Sequence, residues 1–187
     1  MAIIDSQLAS LEEAIEGIKV PEEIQGNLAL VSVSYLSFDN EVHTGQLVIH
    51  KDLAGDVVEI FSELLEIRFP IERVVPVVVY RWDDSRSMNA NNSSALNIRF
   101  INDGTGRYSL HSYGWCIDLN PMQNPCIGRD GSIDPPHAAH DPAVPGTITA
   151  DSRVVAIFEK RGWIWGGKWT SLKDYMHFEK RLDGELS

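Results

Sequence analysis

The sequence predicts one mixed domain in which helices and strands alternate irregularly. Three observations carry this. The 187 residues give room for a single core and too little for two ordinary domains. Apolar residues make up 43% and charged residues 23%, the balance of a folded protein and not of a disordered chain. Apolar positions recur at helical spacing in some segments and in Val/Leu/Ile-rich runs in others, with no repeat at a fixed period. Leu8, Leu11, Ile15 and Ile18, with Glu12, Glu13 and Glu16 between them, predict a short amphipathic helix over about 5–16 that Pro21 ends. Residues 28–36 and 44–50 read as strands. Asp52 is placed to cap a long helix over 52–67, whose stripe of Leu53, Val57, Ile60, Phe61, Leu64 and Leu65 belongs to the core, and Phe69-Pro70 closes it. Residues 71–82 read as a further strand interrupted by Pro76, and 83–94 as a polar loop. The stretch 121–145, rich in proline and glycine, reads as an irregular surface excursion within the domain. A last helix is expected over 151–161, stopped by Gly162.

Sixteen Lys and Arg against 27 Asp and Glu give a net charge of −11. That sign disfavours nucleic acid, whose binding needs a basic face, and an anionic membrane surface for the same reason. The N-terminal residues have no basic residue before Lys19 and no long apolar run, so they fit neither a secretory signal nor a transit peptide. The expectation is a protein made in the cytoplasm, with release to the cell wall only by a non-classical route. Cys116 and Cys126 are expected to be reduced in that compartment.

Two of the six histidines stand in company that suggests a metal. His111 precedes Asp118 by seven residues, with Gly114 between them to let the backbone turn. If 115–119 is a strand, Cys116 and Asp118 share one face, and Trp115 and Ile117 the other. Downstream, Gly166-Gly167 lies among Trp163, Trp165 and Trp169, a composition suited to close backbone approach or an aromatic-walled cleft. Asp174 and His177 follow, three residues apart, so a helical turn or a tight bend would bring both to one side. Two imidazoles, a carboxylate and an open fourth position are typical of catalytic zinc.

These blocks, Ser-x-His-x-x-Gly-x-x-x-Asp from Ser109 to Asp118, Gly-Trp-x-Trp-Gly-Gly-x-Trp from Gly162 to Trp169, and Asp174-x-x-His177-Phe178, resemble the zinc D-alanyl-D-alanine carboxypeptidases and L-alanyl-D-glutamate endopeptidases of the M15 metallopeptidases. Upstream, His43 to His50, Phe69-Pro70-Ile71 and Ser87 to Arg99 resemble blocks of bacterial members, so the likeness spans about 35–180. The resemblance implies an α+β fold related to Hedgehog and DD-peptidases, with a small, mainly antiparallel sheet carrying the zinc site and flanked by helices. It implies one zinc ion held by His111, Asp118 and His177, Asp174 as general base, and Arg99 with Ser94 nearby as substrate-binding residues. The expected substrate is a peptide of the peptidoglycan stem. Residues 1–27 are expected to form a helical extension packed on a peptidase domain over 28–187.

The chain departs from the family pattern at Cys116, where alanine is common, and at the bulky Trp115. A thiolate at Cys116 would rival Asp118 as a ligand, while a buried, alanine-like cysteine is the simpler reading. His137 and His140, spaced to chelate but set beside prolines, stay unassigned, as do His43 and His50. A zinc-bearing binding domain without turnover is the alternative function, which the presence of Asp174 argues against. A cysteine hydrolase is weaker, because neither cysteine stands in a nucleophile context.

Overall fold

The computed structural model describes residues 2–101 and 104–182, which form an α+β fold of short helices and several small sheets. In chain order the elements are β1 (Ile3–Ile4), α1 (Leu11–Ala14), α2 (Glu22–Gln25), β2 (Leu28–Leu36), β3 (Val42–His50), α3 (Ala54–Glu66), β4 (Arg73–Val74), α4 (Asp84–Asn89) and β5 (Asn92–Ser93). They continue with β6 (Cys116–Asp118), β7 (Cys126–Ile127), β8 (Ile133–Asp134), α5 (Arg153–Glu159), β9 (Ile164–Trp165), β10 (Lys173–Asp174) and β11 (His177–Glu179).

The scaffold is the antiparallel hairpin β2–β3, paired from Leu28↔His50 to Leu36↔Val42, with β1 parallel to the outer side of β3. Helix α3 lies on β2 and buries Val57, Ile60, Phe61 and Leu64, the stripe read from the sequence. These side chains share one core with Trp115, Ile117, Phe158, Trp163, Trp165 and Phe178 from the second half of the chain. A smaller cluster joins Ala14, Ile15, Val20 and Ile24 to Leu28, Val48 and Leu96. No helix among the described residues is long and apolar enough to cross a membrane.

Several elements differ from their sequence reading. The helix expected over 5–16 is one turn, Leu11–Ala14, because Asp5 is committed elsewhere: its amide donates to Thr44 O, and its carboxylate meets Tyr35 Oη and His43 Nδ1. Ser10 is the cap, and Pro21 starts α2 where it was expected only to end a helix. Asp52 does not cap α3. It sits inside a 3₁₀ turn, Lys51–Leu53, where its own amide donates to the His50 side chain. Residues 71–82 hold only the two-residue β4. Pro76, which brings no N–H to a ladder, leads into a 3₁₀ turn over Val77–Tyr80, and Arg81 and Trp82 take left-handed backbone. The polar stretch 83–94 contains α4, capped by Asp83, and β5.

The excursion 121–145 also carries structure. It supplies β7 and β8, which join β10 in the order β10-β7-β8. A separate sheet, β6-β11-β9, is antiparallel throughout, with β11 central. These two sheets meet at the bend between Asp174 and His177, and that bend positions the site.

Candidate metal centre

Strand pairing does most of the assembly. In β6 and β11, Asp118 lies opposite His177 and Cys116 opposite Glu179, while Ile117 and Phe178 form the intervening pair and turn into the core. Alternation then places Asp118, Cys116, His177 and Glu179 on one face. Asp118 is held by reciprocal backbone bonds with Ser94, at 2.8 and 3.1 Å.

His111 arrives from a different element, a 3₁₀ turn over Leu110–Tyr113. Gly114 ends that turn at φ 68°, and its carbonyl accepts the amide of His50 at 2.9 Å. A side chain there would come within 2.5 Å of His50 N, so glycine serves both the left-handed turn and the close docking onto β3. Gly166 does comparable work opposite: a Cβ would stand 2.7 Å from Asp174 O and 3.4 Å from His177 Cβ. The Asp174–His177 bend packs directly on that backbone. Trp163 and Trp165 are core residues, Trp165 donating to Tyr175 O at 2.8 Å, and Trp169 alone of the three tryptophans reaches the cavity, 5.3 Å from the His177 ring.

The donor atoms converge. His111 Nε2 is 3.2 Å from His177 Nδ1 and 3.2 Å from Asp118 Oδ2, and His177 Nδ1 is 3.0 Å from Asp118 Oδ1. His111 Nδ1 is 2.7 Å from the Ala95 carbonyl, which holds its N–H and leaves the Nε2 lone pair facing inward. Burial alone would raise the Asp118 carboxyl, but the two imidazoles outweigh it and hold the group well below the usual carboxylate range. Burial opposes charge on His177, yet Cys116, Asp118 and Glu179 together raise it well above an ordinary histidine. Three donors this close, with His111 and His177 buried and Asp118 largely so, fit a cation better than shared protons.

Cys116 joins the cluster. A donor atom each from His111, Cys116 and His177 lie within 4.8 Å of one another. Its thiol is pushed up by burial, with neighbouring carboxylates adding to the effect. Cys126, on the cavity wall, is pushed up to about 12 by burial and by Asp174 and Asp134. Neither thiol has the lowered pKa of a cysteine nucleophile.

The cluster opens on a cavity of about 580 Å³. Asp174 lines it with Oδ1 buried and without a hydrogen-bond partner among the described residues. Burial raises its carboxyl to about 6; His177 works against that rise and Asp118 reinforces it. Arg99 is also on the wall, its Nη1 3.5 Å from Asp84. Ser94 contributes its backbone to Asp118 and is not part of the cavity wall. His140 is tied to Ile148 O at 2.8 Å and stacks on Tyr175, while His137 is exposed on left-handed backbone, so the pair is not assembled as a chelate.

The sequence reading thus brought His111, Asp118, His177 and Asp174 to one place. It missed Asp84, hidden in a stretch read as loop, and Glu179, whose Oε2 is 3.3 Å from His177 Nε2. His-x-Glu on a strand was the available signal for the latter.

No solved structure gives a significant match to the chain. Residues 103–180 match the family model described as D-alanyl-D-alanine carboxypeptidase. That segment contains both histidines, Asp118, Asp174 and the cysteine of the cluster, so the similarity to the M15 peptidases falls on the residues of the site.

Proposed function

We propose that the protein is a zinc-dependent peptidase that hydrolyses an amide in the stem peptide of peptidoglycan, of the D-alanyl-D-alanine carboxypeptidase or L-alanyl-D-glutamate endopeptidase type. The observation that carries this reading is Asp174: a buried carboxylate, unpartnered at Oδ1, on the wall of the cavity into which His111, Asp118 and His177 converge.

His111 through Nε2, Asp118 through its carboxylate and His177 through Nδ1 would hold the ion. Zinc so held supplies Lewis acidity, acidifying water and polarising an amide carbonyl. Asp174 does the proton work. With a value near 6 it is ionised at neutral pH, takes a proton at Oδ1 from the attacking water and returns it to the leaving amine. Because Oδ1 has no competing donor among the described residues, that oxygen is available for the transfer. Arg99 orients the substrate through the guanidinium edge that Asp84 does not engage, binding a carboxylate or carbonyl oxygen.

The test is mass spectrometry of purified muropeptides incubated with zinc-loaded protein, beside chelated and Asp174→Ala samples. Loss of one D-alanine identifies the carboxypeptidase, and release at L-alanine the endopeptidase. Asp174→Ala should keep its zinc and lose about 10²–10⁴ in rate. Full activity in that variant overturns the mechanism.

A second reading is favoured by Cys116. As a fourth protein ligand it would close the site, giving a zinc-bearing binding domain without turnover. Against it, Cys116 lies outside the cavity wall. Cys116→Ala separates the two: unchanged zinc content supports the open site, and loss of zinc supports the closed one.

A further inference from the structure

We propose that Glu179 is a positioning residue for the metal centre, fixing the His177 ring so that Nδ1 faces His111 and Asp118 while Nε2 faces away. This rests on the reading of His111, Asp118 and His177 as the zinc-holding residues. The ring has two distinct edges in the structure. Nδ1 lies 3.0 Å from Asp118 Oδ1 and 3.2 Å from His111 Nε2; Nε2 lies 3.3 Å from Glu179 Oε2. A neutral imidazole carries one N–H, so a ring that offers the Nδ1 lone pair to an ion must carry its proton on Nε2, where Glu179 accepts it.

The backbone builds this arrangement. His177 and Glu179 are two apart on β11 and share a face, while Phe178 between them stacks on Phe158 at 3.8 Å and anchors the strand in the core. Glu179 is 7% exposed, a costly place for a carboxylate without partners. Its partners are the His177 ring and, through Oε1, Arg181 Nε at 3.4 Å. The proton transfers assigned to Asp174 make no use of Glu179. The two histidines are therefore oriented by different acceptors, His111 by the Ala95 carbonyl through Nδ1 and His177 by the Glu179 carboxylate through Nε2.

Three measurements on the intact chain test this: zinc affinity by competition with a chromophoric chelator, the His177 tautomer by nitrogen-15 NMR of the zinc-loaded protein, and the melting temperature of the zinc-free protein. Wild type should carry its proton on Nε2. Glu179→Ala should weaken zinc binding about 10–100-fold. Glu179→Gln, whose amide oxygen still accepts, should recover the tautomer and most of the affinity. Affinity within about twofold of wild type in folded Glu179→Ala overturns the proposal, as does a lower zinc-free melting temperature with unchanged affinity. So does a proton on Nδ1 in the wild type, a result that needs no variant to fold. Wild-type protein that takes up no zinc overturns the ligand reading itself, whereas normal uptake with an indifferent Glu179→Ala overturns only the role of Glu179.

Discussion

Arg99 illustrates how one residue can be half engaged. Its Nη1 faces Asp84 at 3.5 Å, yet its side chain is 49% exposed and stands on the cavity wall. An ion pair this open contributes little to stability, because both groups remain hydrated. Asp84 is the more constrained partner: burial raises its carboxyl, and Arg99 works against that rise. Arg99→Ala should therefore leave the fold and the zinc content intact. If Arg99 binds substrate as proposed, loss of that charge-assisted bond, about 1.5–3 kcal/mol, corresponds to a fall in kcat/KM of about ten- to a hundredfold. Steady-state kinetics beside zinc quantification check this. Unchanged kinetics would return Arg99 to a purely structural pair with Asp84. The same two residues mark a limit of the sequence. Arg99 was legible as a candidate because it sits in a block resembling family members, but Asp84 had no motif around it, and only the fold brings α4 against that guanidinium.

At the scale of elements, the N-terminal strand shows why local pattern lost to tertiary pairing. Leu8, Leu11, Ile15 and Ile18 have helical spacing, yet the segment before Ser10 is drawn to the edge of β3. There His43 lies 2.8 Å from Asp5 and 3.0 Å from Asp39, and Tyr35 donates to Asp5 as well. With a carboxylate at each ring nitrogen, the protonated imidazole is favoured; burial opposes this, but the hydrogen bonds to Asp39 and Asp5 prevail and the pKa is raised. A raised folded-state value means that the stabilisation is fully present below the unfolded value of about 6.5 and is lost as pH climbs through the folded value above it. The melting temperature of wild type should exceed that of His43→Gln by about 2–4 °C near pH 6, for a contribution of about 1 kcal/mol, and the gap should narrow toward pH 8.5. A gap that is constant or widens with pH contradicts this. By contrast, α3 and the β2–β3 hairpin were legible because burial and periodicity agree there, with Val57, Ile60, Phe61 and Leu64 all inward. Residues 71–82 were not, since the run of valines favours strand and Pro76, which brings no N–H to a ladder, led instead into a 3₁₀ turn.

Across the whole molecule, the candidate centre draws its side chains from separate elements that one core already joins. His111 comes from a turn docked on β3, Asp118 from the edge strand β6, and His177 from β11 at the junction with the sheet β10-β7-β8. The motifs were legible in the sequence because each is short and local; their convergence was not, because it depends on the Asp118↔His177 register and on Gly114 and Gly166 allowing backbone to approach backbone. Asp118, Asp174 and Glu179 all stand close to this point, in a chain whose net charge is already −11, so a divalent cation bound here would offset a local excess of negative charge as well as fill the donor set. An ion that binds the folded state and not the unfolded chain stabilises by mass action, about 2.7 kcal/mol at a hundredfold excess over Kd. For a domain of this size that corresponds to a rise in melting temperature of about 5–11 °C on zinc addition, reversed by chelation. On the proposed ligand set, His111→Ala and His177→Ala should each abolish the rise, since either leaves two of its three protein donors, while Asp174→Ala should retain it, because the proposed role of that carboxylate is on the proton and not on the ion. A rise that survives in His177→Ala would remove that histidine from the ligand set, and with it the reason for Glu179 to stand behind its ring.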